Sequence, residues 1–110
     1  MKITELQIGD CVAYRGNYVK VTSLYAKNGS NEVGFTDKEG TWVDGSMILP
    51  IPLVPEILEK NGIKLQIGPG GLYQGTIEGL NVKIYFNIIE YVHELQHALR
   101  LCGIDKEIIL

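Results

Sequence analysis

The sequence predicts an α+β chain in two lobes, and three observations predict it. Residues 3–51 hold short β-rich runs separated by turn signals at close spacing. Three prolines fall within residues 50–55, a stretch that neither a central strand nor a helix interior accepts. Beyond them, apolar residues recur four and three apart from Ile88 to Cys102, the period of a helix with one buried face.

In the first lobe, Leu6-Gln7-Ile8-Gly9-Asp10 is a lead-in and a turn. The runs Cys11 to Tyr14 and Tyr18 to Tyr25 are joined across Arg15-Gly16-Asn17, a hairpin signal. In the second run Val19, Val21 and Ser23 alternate with Lys20, Thr22 and Leu24, so one face is clearly apolar only at the start. Residues 27–31 read as a loop and 32–36 as a short strand. A tight turn is expected at 37–40, a return strand at 41–43, a turn at 44–46 and a last strand at 47–49. Five short strands at this spacing suggest a small, strongly bent barrel of the SH3-like kind over residues 1–51. Trp42, Tyr14, Tyr18 and Tyr25 are the aromatics available to such a barrel for binding. The plainer expectation packs Trp42 in the core with the tyrosines along its rim.

The second lobe, residues 52–110, reads α-β-β-β-α, with the prolines as a stiff extended connector. Pro55 suits the first position of a helix that Gly62 stops. Ile63, Leu65 and Ile67 alternate on one strand face. Two further strands follow, at 72–78 and 82–88, after turns at 68–71 and 79–81. Together they predict a three-stranded antiparallel meander. The glycines at 68–71 are not a phosphate loop, because no Gly-Lys-Ser/Thr follows and no helix opens there. The C-terminal helix would cover the meander with Ile88, Val92, Leu95, Leu99 and Cys102. Gly103 would end it, and 104–110 would add a short edge strand.

Composition narrows the functional classes. The chain has 110 residues, 45% hydrophobic and 21% charged, enough for a core without disulfides. Its two cysteines, Cys11 and Cys102, have no framework spacing and read as reduced, buried thiols. No secretory signal is visible and no stretch approaches the ~18 apolar residues of a membrane span. The cytoplasm is the expected location and no membrane partner is expected. The net charge of −3 is evenly spread and no basic run occurs, which argues against nonspecific nucleic-acid binding.

One motif carries chemistry of its own. His93-Glu94-Leu95-Gln96-His97 is His-Glu-x-x-His. Two imidazoles four apart on a helix can grip one zinc, with the intervening glutamate as general base on its water. That would make the chain a zinc-dependent peptidase with ligands His93 and His97 and base Glu94. Three observations weigh against it. On the helical wheel His97 lies nearly opposite the apolar stripe, and His93 and Gln96 lie on its shoulder, so both histidines should sit mostly on the solvent side. A catalytic zinc needs a third protein ligand, and nothing in the 13 residues after His97 supplies an obvious one. The pattern also arises by chance in roughly one chain of this length in several hundred.

Three motifs then stand together: Leu6-Gln7-Ile8-Gly9-Asp10-Cys11-Val12, the central Pro50 to Leu53 with Glu56 to Leu58 and Lys60 to Gly62, and Tyr91-Val92-His93 with Leu95-Gln96. With these the chain resembles a family of small uncharacterised bacterial proteins met near prophage and mobile-element genes. The resemblance spans nearly the whole chain and implies no enzymatic activity. It implies that position 97 commonly carries Asn and position 94 Gln, so that the second ligand and the base are peculiar to this sequence. The shared pair is His93 with Gln96, placed to orient backbone or to touch a partner. The expected function is therefore a non-enzymatic accessory or interaction protein of a mobile element, binding a protein, with His93, Gln96 and Trp42 as candidate binding residues. No cofactor is expected unless the zinc alternative holds. A nucleic-acid-binding SH3-like module is the further alternative, and the sequence leaves the oligomeric state open.

Overall fold

A computed structural model describes residues 1–27, 30–35, 42–67, 73–77, 83–85 and 89–110. The chain divides into two compact units, Met1–Ile51 and Pro52–Leu110. The fold is α+β, with strands in antiparallel sheets and few helices. The turns expected at 37–40, 68–71 and 79–81, and Ile88 of the helical stripe, lie outside the described residues.

The first unit is a sheet in the order β1 (Cys11–Tyr14), β2 (Asn17–Lys27), β3 (Ser30–Phe35), β4 (Trp42–Asp44). Arg15 and Gly16 both have positive φ, 48° and 78°, as a two-residue hairpin turn of matching twist requires. The register it sets pairs Tyr14 with Asn17 and Val12 with Val19. The lead-in is built by Asp10, which is buried. Its carboxylate accepts the Gln7 N–H at 2.7 Å, while its own N–H donates to the Gln7 carbonyl at 3.1 Å. Gly9 N–H to Val21 O and Val21 N–H to Asp10 O then extend the β1–β2 pairing.

Strand β2 explains its own irregular sequence pattern. The register shifts between Val21 and Ser23, so Thr22 is an extra residue. Val19 and Val21 point into the core before the bulge. After it the phase reverses, so Leu24 packs against the core and Ser23 falls on the outer face. The core gathers Leu6, Val12, Tyr14, Val19, Val21, Val33, Phe35 and Ile48, with the Tyr14 and Phe35 rings 5.4 Å apart.

Past β4 the chain makes a 3-10 turn, Gly45–Met47, capped by the Asp44 carboxylate, which accepts the Ser46 N–H at 2.8 Å. Of the strand expected at 47–49 only one bridge forms. Ala13 and Leu49 exchange both backbone hydrogen bonds, at 2.9 and 3.0 Å. The expected closed barrel is therefore not found among the described residues. What they hold is a four-stranded sheet with Leu49 returning to the other side of β1.

In the second unit, Pro52 and Tyr91 form a bridge and the Leu53 N–H donates to the Glu90 carbonyl. Helix α1 (Pro55–Lys60) starts on Pro55 and buries Ile57 and Leu58. Gly62, φ 70°, turns the chain out of it. Strands β5 (Ile63–Ile67), β6 (Tyr73–Ile77) and β7 (Lys83–Tyr85) form the antiparallel meander, with buried Ile63 directly opposite buried Ile77.

Helix α2 (Val92–Leu101) buries Val92, Leu95 and Leu99. It ends on Gly103, φ 72°, whose N–H bonds the Arg100 carbonyl while the Ile104 N–H bonds that of Leu99. That is a Schellman motif, and it satisfies two carbonyls of the last turn. Cys102 is the C-cap and is exposed, not part of the stripe, because the helical period stops at Leu101. Neither cysteine forms a disulfide, and Cys11 is half-buried.

The edge strand expected over 104–110 does not form. Asn61, itself buried, holds that segment instead. Its amide nitrogen donates to the carbonyls of Ile57 (2.7 Å) and Ile109 (2.8 Å), and its amide oxygen accepts the Ile109 N–H at 2.7 Å. One side chain thus meets both backbone groups of Ile109, as a neighbouring strand would, and Ile108 is buried beside it in sequence.

Candidate binding face and the His-Glu helix

Register decides which side chains share the outer face of the first sheet. Ser23, Gly34 and Trp42 lie opposite one another in one row, and Tyr25, Glu32 and Asp44 in the next. The alternate row, Leu24, Val33 and Val43, turns toward the core. Trp42 therefore cannot pack in the core as first expected. It is 45% exposed, and Tyr25 is 44% exposed.

Gly34 lies beside the indole, in tight approach to Ser23. A Cβ there would lie 3.8 Å from Trp42 Cε3 and 3.2 Å from the Ser23 Cβ. The indole meets Tyr25 edge to face, with centroids 6.1 Å apart and planes at 63°. Asp44 is exposed beside the pair and Glu32 is half-buried. The Ser46 backbone N–H holds the Asp44 carboxyl below its usual range, so this carboxylate stays ionised through neutral pH. Tyr18, also exposed, lies across β1 from the Leu49 bridge, in the row Leu49–Ala13–Tyr18. Tyr14 is in the core.

The sequence contained one signal for this face. A glycine in a strand interior marks a close approach, and Gly34 is such a residue. The flanking carboxylates, Glu32 and Asp44, had no signal, since only register brings them together.

On α2 the candidate residues separate. His93 is 6% exposed and Gln96 7%, so the shoulder of the helix is buried, not solvated. The wheel gives the angle of a side chain but not what the chain places against it. The His93 ring stacks on Tyr91 at 5.9 Å and 14°, and His97 meets it edge-on at 5.6 Å. His97 is half-buried. Among the described residues, no group of three or more His, Cys, Asp or Glu is placed to hold a metal ion.

Glu94 has a local task. Its Oε1 accepts the N–H groups of Glu90 and Tyr91, each at 3.0 Å. Tyr91 is the N-cap and Glu94 is N3, so this is the glutamate half of a capping box. It satisfies donors at the helix start and puts negative charge at the positive end of the helix dipole. Glu94→Ala should lower stability by about 0.5–2 kcal/mol, read from denaturant melts. Glu94→Gln keeps the acceptor and should recover most of that loss. Equal losses in both would show that the cap is not what Glu94 contributes.

No helix among the described residues is long and apolar enough to cross a membrane. In comparisons with protein-family models, curated proteins and solved structures, no match to this chain was found.

Proposed function

We propose that the chain is a non-enzymatic interaction protein whose first unit is an SH3-like module binding a protein through the outer face of β2, β3 and β4. The observation that carries the reading is the half-exposed Tyr25–Trp42 pair seated over Gly34. Tryptophan and tyrosine are over-represented among residues that dominate binding energy, because they offer a large apolar area with few torsions to fix. Holding two such rings in water on a strand face that could be wholly polar has no folding advantage that the core requires.

The SH3-like assignment is supported by the bulged, bent β2, the 3-10 turn after β4 and the return of Leu49 to β1. The accessory role rests on the resemblance of the motifs at 6–12, 50–62 and 91–96 to those of small bacterial proteins met near prophage and mobile-element genes. A protein partner suits the face better than nucleic acid, since the chain carries a net charge of −3 and no basic run.

The test uses wild type and the double variant Tyr25→Ala, Trp42→Ala on an affinity matrix, with lysate of the native host. A defined protein held by wild type and lost by the variant supports the reading, provided the variant's melt stays within about 1 kcal/mol of wild type. The same protein held equally by both would remove this face from the function.

A further inference from the structure

We infer that the outer face of β2–β4 receives a cationic side chain, lysine or arginine, from a basic segment of the partner, with Tyr25 and Trp42 as ring walls and Glu32 and Asp44 as countercharge. The inference rests on the binding-face reading and adds the chemistry of the ligand.

The six outer-face residues of the two rows are Ser23, Gly34, Trp42, Tyr25, Glu32 and Asp44. Within these two rows they hold two carboxylates, two aromatic rings and no basic group, and the next row along the same face pairs Lys27 with Ser30. Glu32 stands directly between Tyr25 and Asp44 in its row. Directly opposed residues on adjacent strands bring their Cβ atoms to roughly 5 Å, and diagonal ones to roughly 7–8 Å. Both carboxylates are therefore within side-chain reach of a group resting on the rings. The rings themselves, tilted at 63° with centroids 6.1 Å apart, form a corner whose floor is Gly34. A cation in that corner lies within the ~6 Å of a ring centroid at which cation–π attraction acts.

The other occupants fit worse. A wholly apolar segment would cover the rings but strip water from Glu32 and Asp44 without bringing them a countercharge. A nucleic acid would bring phosphates against two carboxylates. A second copy of the same face would bring two more carboxylates. Lysine and arginine supply an aliphatic stem for the rings and a charge for the acids, and arginine adds a planar group that stacks.

Trp42 is the only tryptophan, so tryptophan emission, excited beyond the tyrosine absorption band, reports this face alone. The probe is a short peptide of arginine alternating with glycine and serine, titrated against the same peptide with glutamine in place of arginine. Backbone amide shifts of Gly34 and Glu32 are followed in parallel, so that binding silent in fluorescence is still seen. The arginine peptide should give a saturable change that weakens as salt rises from about 0.05 to about 0.5 M. Glu32→Gln and Tyr25→Leu should each weaken it about three- to fivefold. Asp44 is left unaltered, because its carboxylate also caps the 3-10 turn. No response to the arginine peptide by either readout, or an equal response to the glutamine peptide, overturns the cation assignment. If host capture still depends on Tyr25 and Trp42 in that case, the face stands as a binding site and only its ligand chemistry falls.

Discussion

Asn61→Ala should lower stability by about 2–3 kcal/mol and release residues 108–110 from the second unit. The substitution deletes three hydrogen bonds at once, two donated by the amide nitrogen and one accepted by its oxygen. Each contributes about 1 kcal/mol net, and a buried group left unpaired costs more than a bond that was never made. The Ile109 backbone can recover water once the segment lifts away, which keeps the loss below the full desolvation cost. Lifting it also exposes Ile108, now 5% exposed, and adds a hydrophobic term. Asn61→Asp is the sharper control. A carboxylate still accepts the Ile109 N–H, but it faces the carbonyls of Ile57 and Ile109 with acceptors on both sides, so it should do no better than alanine. Denaturant melts give the stability, and hydrogen exchange at the Ile109 amide gives the release. An alanine variant with unchanged melting and a still-protected Ile109 amide would show that the clamp holds nothing the helix and meander need.

The Asn61 clamp also shows where sequence reading stops. Asn61-Gly62 reads locally as a helix end, and Gly62 performs that task with φ 70°. Nothing local says that the asparagine meets a residue 48 positions away. The same limit applies in β2. Alternation alone puts Ser23 with Val19 and Val21, and the bulge at Thr22 that restores Leu24 to the core is fixed by pairing with β3. From sequence alone Trp42 reads as a core residue, because a single large apolar ring usually finds the core. Its placement outside follows from the β3–β4 register, which opposes it to Gly34.

Local signals did better wherever local geometry decides. The hairpin at Arg15-Gly16, the start of α1 on Pro55, the end of α2 at Gly103 and the buried series Val92, Leu95, Leu99 all follow from backbone preference or helical period. On the candidate face, the sequence named Trp42 and Tyr25 as available but could not bring them together. On α2 it placed His97 off the stripe, missed the burial of His93, and overlooked the cap that Glu94 provides three residues after Tyr91.

Two substitutions two residues apart on α2 should separate the core face from the motif. Leu95 is fully buried, and Leu95→Ala removes a branched apolar group from a packed site. The expected loss is about 2–5 kcal/mol, set by how far the site collapses around the cavity. His97 is half-buried and edge-on to the His93 ring. His97→Asn trades the edge-on ring contact for a smaller polar side chain at a half-buried site and should cost clearly less than Leu95→Ala, about 1 kcal/mol. The contrast also tests the zinc chemistry that His-Glu-x-x-His can support. If His93 and His97 held a metal together with a ligand from elsewhere, the metal's binding energy would count toward folding. His97→Asn would then cost several kcal/mol in zinc-supplemented buffer, and a chelator would lower wild-type stability by the same amount. A chelator-insensitive melt with Leu95→Ala far below His97→Asn is the outcome of a helix whose stability lies in its buried stripe and its caps. A melt that falls with chelator and with His97→Asn alike would instead make the two imidazoles a metal site and return Glu94 to consideration as a base.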